Sequence, residues 1–472
     1  MRSDSWFKIF AVLLGLALPA RHVLAEEAGA TQAPPAAQAA SSAPPTAEEV
    51  EALRREVGDL RRQIQVLRDQ LRAGLLPEAG AGASAEAAAP GAPSPVPPTP
   101  PSPQAPAAAA PTKAQSLMNP AISAVLQATG TTSLSHESDT NGFDLSEAEV
   151  ALQSAVDPFT RVDLFLSFPA GETPEVEEGA ITTLALPGPL QLKGGRFKSA
   201  FGKWNTLHNH AFFTVDRPDA LTNFFGEESL TNDGLSLSVL IPNPWDQYID
   251  AITEVGTALE GPSFNSDRRN LTWLEHLTWF LNTSPNSTLE FGVTASAGWT
   301  GASETLLSDL AACGAACSGL EPGDELDSRV NGIDVTYKWK PVQLNVYRSF
   351  LWQTEALRSR RDVEVLTAGP ALQPDVVSAK GGYSYLEGQF AKRWRAGARY
   401  DLSGFPDSES AREQAWSAVV RYQPSEFQEI RFQYKRTSRN DEAALRFDGE
   451  NDDSQLFFEW IPVIGAHGAH KY

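Results

Sequence analysis

Apolar and polar residues alternate along much of the chain after residue 119, and short turns interrupt the alternation. In the clearest run, Leu289, Phe291, Val293, Ala295, Ala297 and Trp299 are interleaved with Thr288, Glu290, Gly292, Thr294, Ser296 and Gly298. A period of two places the two sets on opposite faces of a β-strand. Many such strands, with aromatic residues near their ends, are typical of a transmembrane β-barrel with lipid outside and water inside.

Sixteen strands can be placed between residues 119 and 472 from this alternation and the turns. They start near residues 120, 143, 160, 179, 190, 233, 246, 271, 287, 329, 342, 379, 394, 414, 427 and 453. Short connections such as Pro187-Gly188-Pro189 alternate with longer ones, and single-chain bacterial barrels have an even number of strands. We therefore predict an all-β fold, a 16-stranded antiparallel transmembrane β-barrel, with its short turns in the periplasm.

One long connection, residues 200–232, is unusually rich in aromatic residues and in charges of both signs. An exposed loop would not need Phe212, Phe213, Phe224 and Phe225. We expect this segment to fold inward as a constriction loop that narrows the pore. Lys203, Trp204, Asp216 and Arg217 are its candidate functional residues.

The chain before the barrel begins with features of an export signal. In residues 1–25, Arg2 and Lys8 accompany a short apolar core, and Val23-Leu24-Ala25 offers a cleavage site. The core is too short to span a bilayer, and no later run approaches the roughly 20 apolar residues of a membrane helix. We expect an exported protein that is not anchored by helices.

Three further segments separate the signal from the barrel. Residues 26–47 and 74–118 are rich in Ala and Pro, which predicts a disordered segment and a semi-extended linker. Residues 48–73 carry the unbroken 3-4 spacing of Val50, Leu53, Val57, Leu60, Ile64, Leu67 and Leu71. This seam predicts a coiled coil that associates with other copies of the chain, in the periplasm. A lone amphipathic helix is the alternative, and dimer and trimer both remain open.

The charge of the chain bears on its partners. Its net charge is −21, and of 38 basic and 59 acidic residues, 28 basic and 48 acidic follow residue 118. The acidic excess therefore belongs to the barrel region, which makes nucleic acid an unsuitable partner. The expected surroundings are the lipid and lipopolysaccharide of a bacterial outer membrane.

If the alternation is correct, polar side chains line the pore. The predicted pore-lining residues are Arg395, Arg399, Arg421, Arg431, Lys435, Glu147, Glu149 and Glu290. Rows of Arg on neighbouring strands could form a positive wall that selects anions. Alternatively, these Arg side chains pair with luminal carboxylates such as Glu147, Glu149, Asp163 and Glu290 on other strands.

Cysteine and histidine supply the remaining candidate chemistry. Cys313 and Cys317 predict a local disulfide in an exported loop, with a metal-thiolate pair as the alternative. His208 and His210 in the long connection are candidate ligands of Zn²⁺, and hydrogen-bonded loop histidines are the alternative. No nucleophile–base pattern or phosphate-binding glycine loop is evident, so we expect no enzyme and no resident cofactor.

Two resemblances to known families add to this interpretation. The layout of a coiled coil before a 16-stranded barrel resembles the phosphate-selective porin family, whose motif is similar to residues 194–202. The chain also resembles outer-membrane proteins labelled zinc-regulated TonB-dependent receptors. The matching segments are 119–123, 143–149, 195–197, 205–211, 216–218 and 465–470. That label implies a plug and 22 strands, for which 354 residues leave only about 16 residues per strand and connection.

The sequence therefore favours a porin-like channel in the outer membrane, through which small hydrophilic solutes or ions diffuse passively. One alternative is a metal-uptake receptor, with zinc first. Another is a structural tether that joins the outer membrane to peptidoglycan or a periplasmic partner through the coiled coil. The Pro-rich linker could extend on the order of 100 Å.

Overall fold

In a computed structural model of the chain, the structure describes residues 120–135, 141–171, 173–259, 261–266, 270–342, 347–369 and 371–465, except for the side chains of residues 304 and 305. The predicted signal peptide, disordered segment, coiled coil and linker lie outside these ranges. All of the candidate pore, loop, cysteine and metal residues lie within them.

Sixteen antiparallel strands form one closed barrel, which confirms the predicted all-β fold and its number of strands. The strands are β1 (Ala121–Ser133), β2 (Gly142–Ala155), β3 (Thr160–Pro169), β4 (Glu175–Thr183), β5 (Leu190–Lys198), β6 (Thr231–Leu240), β7 (Tyr248–Ala258), β8 (Leu271–Ser284), β9 (Ser287–Thr300), β10 (Leu326–Trp339), β11 (Ser349–Leu366), β12 (Leu372–Ala391), β13 (Trp394–Phe405), β14 (Ser408–Ser425), β15 (Gln428–Arg439) and β16 (Asp452–Gly465).

The barrel closes where the first strand pairs with the last. Ser123 of β1 stands opposite Gly465 of β16, and Ser133 stands opposite Gln455. Inside the wall, Gln127 Nε2 donates to Glu459 Oε1 at 2.9 Å across this seam. Closure leaves no strand edge unpaired, which removes the usual route to edge-to-edge aggregation.

The wall is apolar outside and polar inside. On β9, Phe291 and Val293 are exposed on the outer face, while Glu290, Thr294 and Ser296 are buried on the inner face. Exposed aromatic side chains also lie near the short turns, namely Trp245, Tyr248, Trp279, Phe350, Trp352, Phe390, Trp394 and Phe427. The period of two in the sequence therefore has the sense expected of a barrel that stands in lipid.

Three strands begin far from their predicted starts. β11 begins at residue 349 rather than 342, β12 at 372 rather than 379, and β14 at 408 rather than 414. The early part of β14, from Ser408 to Glu413, is polar apart from the buried Ala411. Because the apolar set of this strand begins only at Trp416, alternation could not reveal the part before it.

The helices of the described residues are short. They are α1 (Asp219–Phe225), α2 (Glu304–Cys313), α3 (Asp441–Ala444) and the 3₁₀ turns Asn209–Ala211 and Gly314–Cys317. Among the residues that were described, no helix has the length and apolar character to cross a membrane. A disulfide joins Cys313 at the end of α2 to Cys317 in the following 3₁₀ turn.

Candidate functional site

The lumen of the barrel contains the connection between β5 and β6, residues 199–230, which we call the inward loop. Its two ends meet, because the backbone N–H of Ser199 donates to the carbonyl of Leu230 at 2.8 Å. Between these ends the chain includes the first 3₁₀ turn and α1. The loop therefore leaves and rejoins the β5–β6 ladder at a single point.

The inward loop has its own aromatic core, which packs against the inner wall. Trp204 is fully buried, and its ring centroid lies 5.4 Å from those of Phe212, Phe213 and Tyr383. Phe213 also stacks on Tyr385 at 5.4 Å, and both tyrosines project from β12. Aromatic burial of this size holds the loop against the β12 side of the lumen.

A carboxylate of β11 binds the start of the loop. Glu355 Oε1 accepts hydrogen bonds from the backbone N–H of Lys203 at 3.0 Å and of Trp204 at 2.8 Å, and from Tyr383 Oη at 2.7 Å. Gly202 precedes this turn with φ +57°, and a Cβ there would lie 2.2 Å from Glu355 Oε2. Glycine is therefore required both by the backbone angle and by the close approach.

Lys203 and Arg217, two of the predicted loop residues, both have polar partners. The Lys203 ammonium is paired with Glu290 of β9. Arg217 donates to Asn205 Oδ1 at 3.0 Å, to Ser229 Oγ at 2.6 Å and to the carbonyl of Glu227 at 3.0 Å. Burial lowers the pKa of Arg217 to about 10. Arg217 thus fastens one half of the loop to the other.

Asp216 ties the loop to the opposite wall. Its Oδ2 lies 2.8 Å from both Arg399 Nη2 of β13 and Lys435 Nζ of β15, and Asp219 at the start of α1 also pairs with Lys435. Burial disfavours the ionised carboxyl, but the charges of Arg399 and Lys435 outweigh it and hold the pKa of Asp216 well below its usual range. The loop is therefore held here by buried, charge-assisted hydrogen bonds.

The other predicted Arg residues are paired with carboxylates of the same part of the wall. Arg421 bridges Glu387 at 2.7 Å and Glu429 at 2.8 Å. Arg431 bridges Glu429 at 2.7 Å and Glu459 at 2.9 Å. Arg395 lies 3.8 Å from Glu387, and Arg399 also contacts Asp401 at 2.7 Å.

This network corrects the partners that the sequence suggested. The Arg side chains do not pair with Glu147, Glu149, Asp163 or Glu290, because neighbouring strands and the inward loop supply nearer carboxylates. Among the described residues, the five predicted cations contact six carboxylates, Asp216, Asp219, Glu387, Asp401, Glu429 and Glu459. The wall formed by β13–β15 is thus close to neutral rather than a row of uncompensated positive charge.

The predicted luminal acids Glu147 and Glu149 lie on β2, on a second part of the wall, where Glu149 approaches His208 and His210 of the loop. His208 Nδ1 lies 3.0 Å from Glu149 Oε2 and 3.0 Å from Glu177 Oε2, and His208 Nε2 lies 3.0 Å from Glu178 Oε1. His210 Nδ1 lies 3.4 Å from Glu149 Oε2. Burial disfavours the charged ring of His208, but Glu177, Glu149 and Glu178 outweigh it and raise its pKa well above the usual value.

Two further residues complete this cluster. Glu147 accepts from Ser167 Oγ at 2.6 Å and from Asn209 Nδ2 at 3.1 Å. Lys198 Nζ lies 2.6 Å from the other oxygen of Glu177, Oε1. The cluster thus brings Glu149, Glu177 and Glu178 to Lys198 and His208, with Glu147 beside them at Asn209.

Sequence reasoning missed Glu177 and Glu178 for a definite reason. It started β4 at residue 179, whereas the strand begins at Glu175 with an irregular register opposite Phe165 and Leu166. Such a bulge redirects side chains, and here it turns both Glu177 and Glu178 towards His208. The run Glu175-Val176-Glu177-Glu178 was the one signal that could have found them.

Comparisons with known proteins give distant likenesses. No family model matches the chain. An uncharacterized protein of Aquifex aeolicus is 27% identical over 360 residues, which is 70% of each chain. Among solved structures, Pseudomonas putida OprB has a TM-score of 0.49 at 8% identity, and the outer membrane channel DcaP of Acinetobacter baumannii has 0.44 at 12%. Each covers 73% of this chain, which covers 94% and 97% of them, respectively.

Proposed function

We propose that the protein is an outer-membrane channel for the passive diffusion of small hydrophilic solutes or ions. The observation that carries the proposal is the polarity of the closed wall. Apolar side chains such as Phe291, Val293 and Ile333 face outward, aromatic side chains lie near the short turns, and charged groups such as Glu290 and Arg399 face the lumen. A closed barrel of sixteen strands is wide enough for an aqueous path when side chains alone do not fill it.

We propose further that the inward loop is the constriction of this channel. Support comes from its contacts, which reach Glu149 on β2, Glu290 on β9, Glu355 on β11 and Lys435 on β15. A segment attached at points so far apart around the circumference crosses the lumen rather than lining one side of it. Its position then determines the width of the path.

The paired charges of the wall bear on selectivity. A nearly neutral network of buried ion pairs provides little net field for anions, so a dedicated anion site on β13–β15 has less support than charge pairing. Arg395 is the most accessible of the five cations, with 27% of its side chain exposed and its carboxylate 3.8 Å away. Of this row, Arg395 is the residue best placed to meet a passing solute.

We propose that the outer face also carries an anchor for anionic lipid. Arg329 stands opposite Arg360, and Arg358 stands opposite Lys380, on the exposed outer face of β10–β12. Like charges directly opposite each other destabilise a sheet unless an anion lies near them, and Arg329 has a loose contact of this kind with Asp327 at 3.9 Å. These four residues, the outer cation cluster, lie towards the ends of the strands remote from the short turns, where lipopolysaccharide phosphates would be met in an outer membrane.

A loop-replacement variant tests the channel and its constriction together. Because Ser199 and Leu230 are already hydrogen-bonded neighbours, residues 200–229 can be replaced by an Asn-Gly turn that keeps the β5–β6 ladder. In planar bilayers we expect stepwise conductance from the natural protein and a conductance larger by about twofold or more from the variant.

The other outcomes of this experiment would contradict the proposal. Absence of conductance in both proteins would rule out a channel. Conductance in the variant alone would identify the loop as a complete plug and exclude passive diffusion. The control for each recording is that the barrel is correctly folded. Resistance to unfolding in detergent without heating would show this.

A further inference from the structure

We infer that the inward loop and the wall of β2 and β4 form a binding site for a divalent transition-metal cation of the zinc class. The ligands are His208 Nδ1, Glu149 Oε2 and Glu177 Oε2, three buried groups whose ligand atoms all lie within 4.8 Å of one another. This inference concerns metal binding alone, so it does not depend on whether the barrel conducts ions.

The first argument concerns the proton on His208. Its Nε2 lies 3.0 Å from Glu178 Oε1, a contact that fixes the Nε2–H tautomer of the neutral ring. Nδ1 then presents a lone pair to two carboxylate oxygens, each 3.0 Å away. With the neutral ring, three lone pairs converge in this way and repel one another unless a proton or a metal cation lies between them.

A proton satisfies this arrangement less completely than a metal ion does. One ring nitrogen carries at most one proton, and the hydrogen bond of His208 Nδ1 goes to Glu177 Oε2. Glu149 is 2% exposed, and its Oε2 lies 3.0 Å from His208 Nδ1 and 3.4 Å from His210 Nδ1, without a well-aligned hydrogen bond to either of its carboxylate oxygens. A cation placed among the three groups would bind both carboxylates at once, which gives the buried Glu149 carboxylate a closer counter-charge than a shared proton does.

The distances suit a small tetrahedral ion. Ligands about 2.0 Å from a zinc ion lie about 3.3 Å from one another at the corners of a tetrahedron. The nitrogen–oxygen separations here are 3.0, 3.0 and 3.4 Å, the last being that of His210 Nδ1 from Glu149 Oε2. His210 is therefore the neighbour best placed to supply a fourth ligand.

The surrounding contacts are those that orient metal ligands. Glu178 on the remote nitrogen of His208 forms the carboxylate–histidine pair that typically supports a zinc site. Lys198 holds Glu177 through Oε1 and leaves Oε2 directed at His208. Phe165 covers the ring of His208 with centroids 4.6 Å apart, which shields the site from solvent.

Charge balance also favours a cation. Glu149, Glu177 and Glu178 contact the ammonium of Lys198 or the ring of His208, and Glu147 lies beside them, where it accepts from Asn209. Even with an imidazolium at His208, four acids face two positive charges. A divalent ion beside neutral His208 raises the positive charge to three and reduces the buried excess.

Calorimetry on the chelator-treated, detergent-folded protein tests the site with Zn²⁺ as the probe. We expect one bound ion, with affinity lowered at least about tenfold in Glu149→Gln and in His208→Gln. His276→Gln is the matched control, since His276 is also buried in the lumen but its ring contacts Thr294 and Thr278 hydroxyls. We expect it to bind Zn²⁺ as the natural protein does.

Co²⁺ in place of Zn²⁺ gives a readout independent of affinity. We expect the intense visible bands of tetrahedral Co²⁺ in the natural protein and in His276→Gln, and their loss in Glu149→Gln. Unchanged Zn²⁺ affinity in both site variants, equal loss in His276→Gln, or absence of Zn²⁺ binding would each overturn the inference. If His208→Gln does not fold, Glu149→Gln, which keeps the side-chain volume, decides the result alone.

Discussion

At the scale of single residues, the lumen shows how strongly burial decides the role of a charge. Arg399 and Arg431 have 0% and 1% of their side chains exposed and are each held by two carboxylates. Such groups position the inward loop and the wall, and they are too enclosed to meet a solute. Alternation in the sequence predicts that these two side chains face the lumen. It does not predict their partners, because the partners depend on strand register and on loop residues distant in sequence.

Asp216 offers a direct test of how the loop is held. We expect Asp216→Asn to make the attachment of the inward loop to the wall less favourable by about 3 kcal/mol, because it leaves buried Arg399 and Lys435 without their shared carboxylate. Faster proteolysis within the loop and noisier single-channel currents would report the change. The matched control is Asp233→Asn, at an outward, solvent-exposed pair with Arg196, which should cost less than about 1 kcal/mol. Equal effects of the two substitutions would contradict the tether.

The sign of the pH effect at Asp216 follows from its lowered pKa. A carboxyl with a folded pKa below its ordinary value, about 3.9, stabilises the folded form at all pH above that value. The contribution is lost only as pH falls through the lower, folded pKa. Between pH 7 and about pH 4, Asp216 should therefore stay ionised and keep the inward loop attached to the wall. Single-channel currents of the natural protein should show no change from loss of this contact over that range.

At the scale of elements, alternation located the sixteen strands because each crosses the same apolar band. It failed where a strand leaves that band, as at the polar start of β14, and where a bulge breaks the period, as at Glu177. The aromatic content of residues 200–232 correctly marked a segment with buried side chains. The convergence of β2, β4 and His208 could not be predicted, since it requires the path of the loop through the lumen.

The outer cation cluster yields a prediction at this scale. In Arg358→Ser with Lys380→Ser, we expect weaker retention of lipopolysaccharide, by about 2 kcal/mol for two lost charges near an anionic surface. Native mass spectrometry of the detergent-extracted protein would measure the bound lipid. Arg196→Ser is the control, because Arg196 faces outward but is already neutralised by Asp233 at 2.7 Å. The same lipid retention in all three proteins would leave the cluster without this role.

At the scale of the whole molecule, the barrel is complete within residues 121–465. We therefore expect the chain without residues 26–118 to fold and to keep its conductance. If the predicted coiled coil holds copies together, this variant should be a monomer in detergent by light scattering, while the full chain is a dimer or trimer. An unchanged mass would exclude association through the coiled coil, and normal envelope integrity in cells would remove the basis for a tether.

The inward loop also sets the order of events during assembly. It is made before most of the wall that receives it: Glu355 follows Lys203 by 152 residues, and Arg431 follows His210 by 221. The closing seam needs Glu459, 332 residues after its partner Gln127. Until the last third of the chain arrives, Trp204 and the loop phenylalanines have no pocket. We therefore expect attachment of the loop and closure of the barrel to be late and coupled steps, during which the aromatic residues of the unfinished chain need to be covered by a chaperone.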